Sequence, residues 1–161
     1  SKVFRYVLQH KDKGLVPLYT ELDFIKNYVF LLKTRFENTL EIDFQVSEVS
    51  LDKKITPVTL QILIENAIKH GLKEKTNDGI ITINFTMKNN ALIFEVRDNG
   101  TGLELKENNN NHKSLATQIV KERLNSNSPK KDIEIVIENI IENNVIIGVR
   151  TQLEIPYIYN N

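Results

Sequence analysis

The sequence predicts an α+β fold: a two-layer sandwich whose mixed, mostly antiparallel sheet is covered on one face by helices. Two pairs of strands with alternating apolar residues flank short asparagine-containing turns, which indicates two antiparallel hairpins. Three further segments repeat apolar residues at intervals of three and four, and each predicts a helix with one buried face. Antiparallel strands combined with helices that can cover one face pack as two layers.

The first third of the chain predicts a helix, a second helix and a strand. Val3–Gln9 is apolar and suits the end of a longer helix, before a polar break. Leu18–Phe36 carries one apolar stripe and predicts a long helix with one buried face. Leu40–Val46 alternates apolar and polar residues, which is typical of a half-buried strand.

A third helix is expected from Thr56 to about His70. Thr56 is suited to the N-cap, and Pro57 is favoured at the first helical position. Gly71 suits the C-terminal stop, because glycine readily adopts the left-handed backbone that ends many helices.

The second half of the chain predicts two hairpins with a loop and a helix between them. Both hairpins follow from alternating apolar residues on either side of a tight turn. The polar stretch that ends near Lys113 is predicted as a loop, and the spacing of Leu115–Leu124 predicts a helix. The four predicted strands are Gly79–Met87, Ala91–Arg97, Ile133–Ile137 and Val145–Ile155.

Composition excludes several classes of protein. A chain of 161 residues suits one domain and can bury a core without disulfides. It contains no cysteine, so disulfide frameworks and thiolate zinc sites are excluded. The 21 basic and 21 acidic side chains balance, which argues against a broad contact with nucleic acid, and we expect no such partner. No apolar run approaches the roughly 18 residues of a membrane span, so we expect a soluble domain.

The third predicted helix carries polar residues that its fold does not require. Most of its apolar residues share one face, whereas Glu65, Asn66 and Lys69 gather on the other, with Ile62 among them. A surface ion pair between Glu65 and Lys69 is the simplest explanation. Asn66 favours a second explanation, a binding site, because asparagine is a poor mid-helix residue. An acid, an amide and a base on one face could hold hydrated Mg²⁺ and phosphate oxygens. His70, at the border of the apolar stripe, is explained more simply as a helix-end cap.

The segment Asp98-Asn99-Gly100-Thr101-Gly102 follows an apolar strand directly. An ordinary hairpin turn is one explanation, since Asn-Gly is a strong hairpin signal. The residues that follow make a poor strand, which favours a binding turn instead. Gly100 and Gly102 let the backbone approach a ligand closely, and the carboxylate of Asp98 can accept hydrogen bonds from an amine such as that of adenine.

The polar stretch Lys106–Lys113 has two explanations. It could be a solvated surface loop, which is the usual role of such a sequence. It could also close over a phosphate-containing ligand, with Lys106, His112 and Lys113 meeting the negative charge.

Taken together and in this order, these segments resemble the catalytic ATP-binding domain of LytS-type sensor histidine kinases. That family belongs to the GHKL ATPase superfamily, whose ATP-binding fold is the Bergerat fold. The resemblance runs from about Phe4 to Pro156. Its two most specific parts are Glu65–Gly71, which resembles the N box, and Asp98–Leu103, which resembles the first glycine box.

The resemblance implies a reaction and a role for each site residue. The γ-phosphoryl group of ATP would pass to a histidine upstream of this chain. Asn66 would ligate Mg²⁺, Glu65 would orient or deprotonate the attacking group, and Asp98 would bind the adenine amino group. The implied nucleotide contacts are Asn66, Lys69, His70, Asp98, Gly100, Thr101, Gly102, Leu103, Ser114, Leu115, Ala116 and Thr151.

The chain departs from the family pattern in three places. The second glycine box reads Ser114-Leu115-Ala116, which removes the glycines that allow a tight turn there. Val149 follows Gly148 where the family often has threonine, although Thr151 lies close by. The acceptor histidine and its Pro-His-Phe context are not in the chain.

The resemblance also implies boundaries, partners and a location. Residues 1–16 would end the acceptor-helix region and its linker, residues 17–158 would form the catalytic domain, and residues 159–161 would be a tail. The expected partners are the protein's own acceptor-helix domain and a cognate response regulator, with a homodimer for the full-length protein and a monomer conceivable for this chain alone. The domain is expected on the cytoplasmic side of a bacterial inner-membrane sensor protein.

Two other functions remain open at the level of sequence. The altered second glycine box favours a non-catalytic module that senses nucleotide or docks a partner. Another GHKL activity, an ATPase or a serine kinase, is the second alternative. The long helix over Leu18–Phe36 argues against that one, because it fits the sensor-kinase arrangement better.

Overall fold

The sheet of this protein has the predicted mixed, mostly antiparallel topology. The computed structural model describes residues 2–10, 14–35, 40–71, 79–103, 107–126 and 133–156. Within these ranges the α-helices are α1 (Lys2–His10), α2 (Leu18–Arg35), α3 (Leu60–Asn66) and α4 (Glu107–Asn125). The strands are β1 (Val16–Pro17), β2 (Leu40–Val46), β3 (Lys54–Ile55), β4 (Gly79–Lys88), β5 (Ala91–Asp98), β6 (Ile135–Glu142) and β7 (Val145–Pro156). A 3₁₀-helix covers Glu48–Ser50, and a π-helix covers Ala67–Gly71.

Five strands form the main sheet in the order β2-β4-β5-β7-β6. β2 runs parallel to β4, and the other three pairs are antiparallel. β1 and β3 form a separate two-stranded antiparallel sheet, which the sequence does not predict. That small sheet ties the start of α2 to the segment that leads into α3.

Both predicted hairpins are confirmed, and their turns explain the paired asparagines. Asn89 and Asn90 have φ angles of 51° and 62°, and Asn143 and Asn144 have φ angles of 52° and 64°. Two successive left-handed residues make a type I′ turn, whose twist matches that of the flanking strands, and asparagine tolerates this backbone better than most residues.

The core lies between one face of the sheet and the helices. On β4 and β5 every second side chain is buried, and the rings of Phe85 and Phe94 pack with centroids 5.0 Å apart. α2 and α3 supply the other side of the core with aliphatic side chains that are nearly or fully buried. Among them are Leu18, Leu22, Ile25, Leu60, Leu63 and Ile64. No helix in the described ranges combines the length and the apolarity needed to cross a bilayer.

The predicted start of the third helix is wrong. Thr56 and Pro57 lie before α3, which begins at Leu60 with Thr59 in the N-cap position. Val58 has a φ of 57°, a left-handed backbone that cannot belong to an α-helix. Its N–H donates to the carboxylate of Glu21 on α2 at 2.8 Å, so a contact distant in sequence directs the chain here.

The predicted loop that ends near Lys113 is also wrong. α4 begins at Glu107 and includes Asn108–Asn111 and Ser114-Leu115-Ala116. Asparagine has a poor helix propensity, which is why the sequence favours a loop. A helix anchored by buried residues farther along, such as Val120 and Leu124, can extend through poor formers, because each added residue adds a backbone hydrogen bond.

Gly148 allows β7 to pass the end of β5, and this predicts a sharp effect of substitution. A Cβ atom at Gly148 would lie 1.9 Å from the carbonyl oxygen of Asp98, and a strand backbone cannot move away easily. We expect Gly148→Ala to lower the free energy of unfolding by about 3 kcal/mol or more, measured by urea denaturation. Gly14→Ala is the matched control, since a Cβ there meets nothing within 4 Å. Equal stabilities for the two variants would contradict this account of the strand contact.

Candidate functional site

The candidate site lies where two predicted segments come together in the fold. We call Asp98–Leu103, which follows β5, the glycine-box turn, and Glu65–Gly71 the N-box segment. The π-helix that forms most of the N-box segment packs against β5 and β7. These are the strands that carry Asp98 and Thr151, so the fold brings the two predicted motifs to one region.

Asp98 is the anchor of the glycine-box turn. Its side chain is buried, and its Oδ1 accepts hydrogen bonds from the N–H of Gly100 at 2.9 Å and from the N–H of Val149 at 3.2 Å. The first bond closes the turn on itself, and the second ties the turn to β7. A buried carboxylate needs such donors, because burial without them is costly.

Two further hydrogen bonds hold the glycine-box turn against neighbouring strands. The Oδ1 of Asn99 accepts from the N–H of Ile80 on β4 at 2.8 Å, and the Oδ1 of Asn139 on β6 accepts from the N–H of Leu103 at 2.7 Å. Gly102 has a φ of 100°, and a Cβ there would lie 2.6 Å from the Cγ2 of Ile146. Both its backbone and its surroundings therefore require glycine.

The end of β7 completes the same region. Gly148 lets the strand approach Asp98, and Val149 then offers its N–H to the Asp98 carboxylate. Thr151 is buried two residues farther on, opposite Val96 of β5. Valine in place of the family threonine therefore leaves the strand contact intact, because Val149 contributes it through the backbone.

Glu65 makes two side-chain contacts. Its Oε1 lies 2.6 Å from the Nζ of Lys69, so the predicted surface ion pair is present. Its Oε2 also accepts a hydrogen bond from the hydroxyl of Tyr28 on α2. Partial burial opposes the charged form of Glu65, but the hydrogen bonds from Lys69 and Tyr28 and the charge of Arg35 outweigh it and lower its pKa.

Asn66 is half-buried and stands at the last α-helical position, directly before the π-helix Ala67–Gly71. π-Helical turns are rare and recur at functional sites, because they re-aim side chains that an α-helix would place elsewhere. Within the described ranges, no three His, Cys, Asp or Glu side chains form a metal-binding group. One amide oxygen fits a hydrated Mg²⁺ that takes most of its ligands from phosphates and water.

The remaining predicted contacts differ in exposure and in the element that carries them. Thr101 is exposed, Leu103 is half-buried, and Ser114-Leu115-Ala116 lies inside α4 instead of at a turn. The side chain of Leu115 is 56% exposed. The side chains of His70, Lys106, His112, Lys113 and Ser114 lie outside the described residues. Their nucleotide contacts, like those of the other site residues, stay predictions.

Three contributors to the region are not predicted as site residues. Tyr28 lies on α2, and only the structure shows its bond to Glu65. Asn139 lies on an edge strand whose alternation gives no sign of a role in the glycine-box turn. The N–H of Val149 is a backbone group, which side-chain patterns do not reveal.

Comparison with known proteins identifies relatives of this chain. A family model described as histidine kinase matches residues 1–40. The sensor protein LytS of Oceanobacillus iheyensis is 39% identical over 106 residues, which is 66% of this chain and 18% of that protein. The match therefore spans less than a fifth of the length of that relative.

Solved structures share the fold. The catalytic domain of histidine kinase ThkA superposes with a TM-score of 0.59 and 17% identity, covering 89% of this chain and 96% of that one. Full-length ShkA in complex with AMPPNP superposes with a TM-score of 0.64 and 14% identity, covering 98% of this chain and 34% of that one. The fold is that of a histidine kinase catalytic domain.

The bond between Tyr28 and Glu65 predicts a change in acid behaviour. Glu65 has a lowered pKa, so it stabilises the folded chain above the pKa of the unfolded state, and that contribution is lost as the pH falls through the folded value. Tyr28→Phe removes a donor to the carboxylate and is expected to raise the pKa of Glu65. A pH titration by ¹³C NMR of the Glu65 carboxyl carbon measures this change. Tyr19→Phe, on an exposed face of α2, is the control. An unchanged Glu65 pKa in Tyr28→Phe would exclude the contact.

Proposed function

Because the chain is a relative of the LytS sensor proteins and has the fold of a histidine kinase catalytic domain, we propose that it is the ATP-binding catalytic domain of a two-component sensor. It would transfer the γ-phosphoryl group of ATP to a histidine of the full-length protein. One observation carries most of the proposal. The buried carboxylate of Asp98 is held by two backbone amides beside strands that also pack against the N-box segment.

Asp98 would recognise the adenine. The amides of Gly100 and Val149 both bond its Oδ1, which holds the plane of the carboxylate in one orientation. An oriented carboxylate is an acceptor for an exocyclic amino group, and it would favour adenine over a base that presents a carbonyl there. The complex of the related ShkA structure with AMPPNP supports a nucleotide in this fold.

The N-box segment would hold the phosphates. Asn66 would be the protein ligand of Mg²⁺, which when bound neutralises the charge that develops on the transferred phosphoryl group. Lys69 and His70 would lie near the phosphates. The structure pairs Lys69 with Glu65, so a contact with phosphate would require Lys69 to exchange one anionic partner for another.

Glu65 would orient the attacking histidine or accept its proton. The Tyr28 hydroxyl and Lys69 both donate to its carboxylate and hold it in its charged form. A carboxylate kept charged and fixed in position is suited to orienting an imidazole N–H, because geometry contributes more than basicity to phosphoryl transfer.

The rest of the assembly is proposed from the same relationship. Residues 1–16 would end the acceptor-helix region and residues 17–158 would form the catalytic domain. A response regulator would receive the phosphoryl group, and the full-length protein would be a dimer. The domain would face the cytoplasm from a membrane-anchored sensor, as the match to LytS sensor proteins suggests.

A non-catalytic module is the second candidate, and one observation favours it. Ser114-Leu115-Ala116 lies within α4, so the structure has a helix where the family has a glycine turn. Both candidates would bind nucleotide, but only the kinase would transfer the phosphoryl group. Radiolabelled ATP is added together with a separate protein that carries the acceptor helices. Phosphohistidine formation supports the kinase, whereas tight ATP binding without transfer supports the non-catalytic module.

Asp98 provides the most direct test of nucleotide binding. Asp98→Asn keeps the Oδ1 acceptor for Gly100 and Val149 but puts an N–H₂ donor where the adenine amino group needs an acceptor. We expect the affinity for Mg-ATP, measured by titration calorimetry, to fall by about 100-fold. The matched control Asp52→Asn changes an exposed carboxylate and should bind as the unchanged protein does. Equal affinities for the two variants would contradict the assignment, and a folded unchanged chain without affinity for Mg-ATP would contradict the function itself.

A further inference from the structure

A second buried carboxylate lies outside the candidate site. Glu21 of α2 is 0% exposed, and both of its oxygens accept hydrogen bonds from other segments. Its Oε2 accepts from the hydroxyl of Tyr6 on α1 at 2.6 Å, and its Oε1 accepts from the N–H of Val58 at 2.8 Å. One side chain therefore joins α1, α2 and the left-handed residue that leads into α3.

Arg123 connects the same point to α4. Its Nε donates to the Oγ1 of Thr59 at 3.0 Å, and its Nη2 donates to the carbonyl oxygen of Pro57 at 2.9 Å. Burial raises the pKa of Glu21, while the bonds from Tyr6 and Val58 and the charge of Arg123 oppose that rise. The segment 57–59 is therefore held both by Glu21 and by Arg123.

An aromatic stack gives α1 a second connection, and this one leads to the N-box segment. The ring of Tyr6 stacks on that of Phe24, with centroids 4.5 Å apart and planes 9° apart. The rings of Phe24 and Tyr28 pack in turn with centroids 6.1 Å apart, and the Tyr28 hydroxyl donates a hydrogen bond to Glu65. Tyr6 thus belongs to two chains of contact, one to each end of α3.

We propose that Glu21 is a positioning residue that transmits the position of α1 to α3 and α4, so that a displacement of α1 changes how the domain holds nucleotide. A buried carboxylate cannot lose a donor without cost, so withdrawal of the Tyr6 hydroxyl makes Glu21 depend more on the N–H of Val58 and on the charge of Arg123. The consequence for nucleotide rests on the proposed function, whereas the coupling between helices is a property of the fold alone. The proposed role gives the domain a way to respond to movement of the segment that precedes it.

Two substitutions probe this coupling without removing a large side chain. Tyr6→Phe deletes the hydroxyl and keeps the ring that stacks on Phe24. Glu21→Gln keeps the size and an acceptor for Val58, and its amide can donate to the Tyr6 hydroxyl, but the charge that faces Arg123 is lost. Tyr19→Phe makes the same chemical change as Tyr6→Phe on an exposed tyrosine.

Amide hydrogen exchange by NMR, without nucleotide, measures the coupling directly. Tyr6→Phe is expected to raise the exchange rates of Val58 and Thr59 and of the α4 amides around Arg123 by about five-fold, the effect of one lost hydrogen bond. Glu21→Gln is expected to raise the rates in α4 by a similar factor. Tyr19→Phe should leave all of these rates unchanged. Calorimetry should show Mg-ATP binding weakened at least about five-fold in Tyr6→Phe but not in Tyr19→Phe.

Three results would overturn the proposal. Faster exchange confined to α1 would show that Tyr6 acts only locally. A uniform increase over all elements would show a general loss of stability, and unchanged α4 rates in Glu21→Gln would remove the connection through Arg123. A chain that shows the expected exchange pattern yet does not bind Mg-ATP would instead overturn the proposed function and leave the coupling in place.

Discussion

The carboxylate of Asp98 is the interaction on which the candidate site depends. It ends β5, closes the glycine-box turn through Gly100 and ties that turn to β7 through Val149. The bond to Val149 requires β7 to run close to the end of β5, which only glycine at position 148 allows. The closed glycine-box turn, its contact with β7 and the orientation of the carboxylate that we propose to bind adenine therefore follow from one buried side chain.

Two acidic side chains of the helical layer, Glu65 and Glu21, make the contacts that hold the two ends of α3. Glu65 stands at the N-box segment, where Tyr28 and Lys69 keep it charged. Glu21 stands at the other end of α3, where it fixes the chain before the helix begins. α2 links the two acids, because it carries Glu21 itself and also Tyr28, the donor to Glu65, about two helical turns farther along. α2 thus supports the candidate site as well as the core.

The fold was largely predictable from sequence because its main signals are local. Paired asparagines specify type I′ turns within two residues, and the alternation of Leu40–Val46 specifies its strand within seven. The start of α3 was not predictable, because Val58 is turned aside by Glu21, which lies 37 positions away in sequence. The extent of α4 was missed for a related reason, since its anchoring core residues outweigh the poor propensity of its asparagines.

The candidate site, like the fold, could be predicted from the sequence only in part. Asp98, Glu65 and Asn66 are predicted as site residues from residue type and spacing, because the chemistry proposed for them is carried by side chains. Their supports were not found, because the N–H of Val149 is a backbone group and Tyr28 and Asn139 come from other parts of the chain. The π-helical turn after Asn66 was not predicted, because its sequence looks like that of an ordinary α-helix.

An NMR titration of the nucleotide-free chain with Mg²⁺ and AMPPNP tests the central claim most directly. If the glycine-box turn and the N-box segment form one nucleotide site, the amide signals of Gly100, Val149 and Asn66 will shift together and saturate at the same ligand concentration. Signals that saturate at different concentrations, or that stay unchanged while others move, would contradict a shared site.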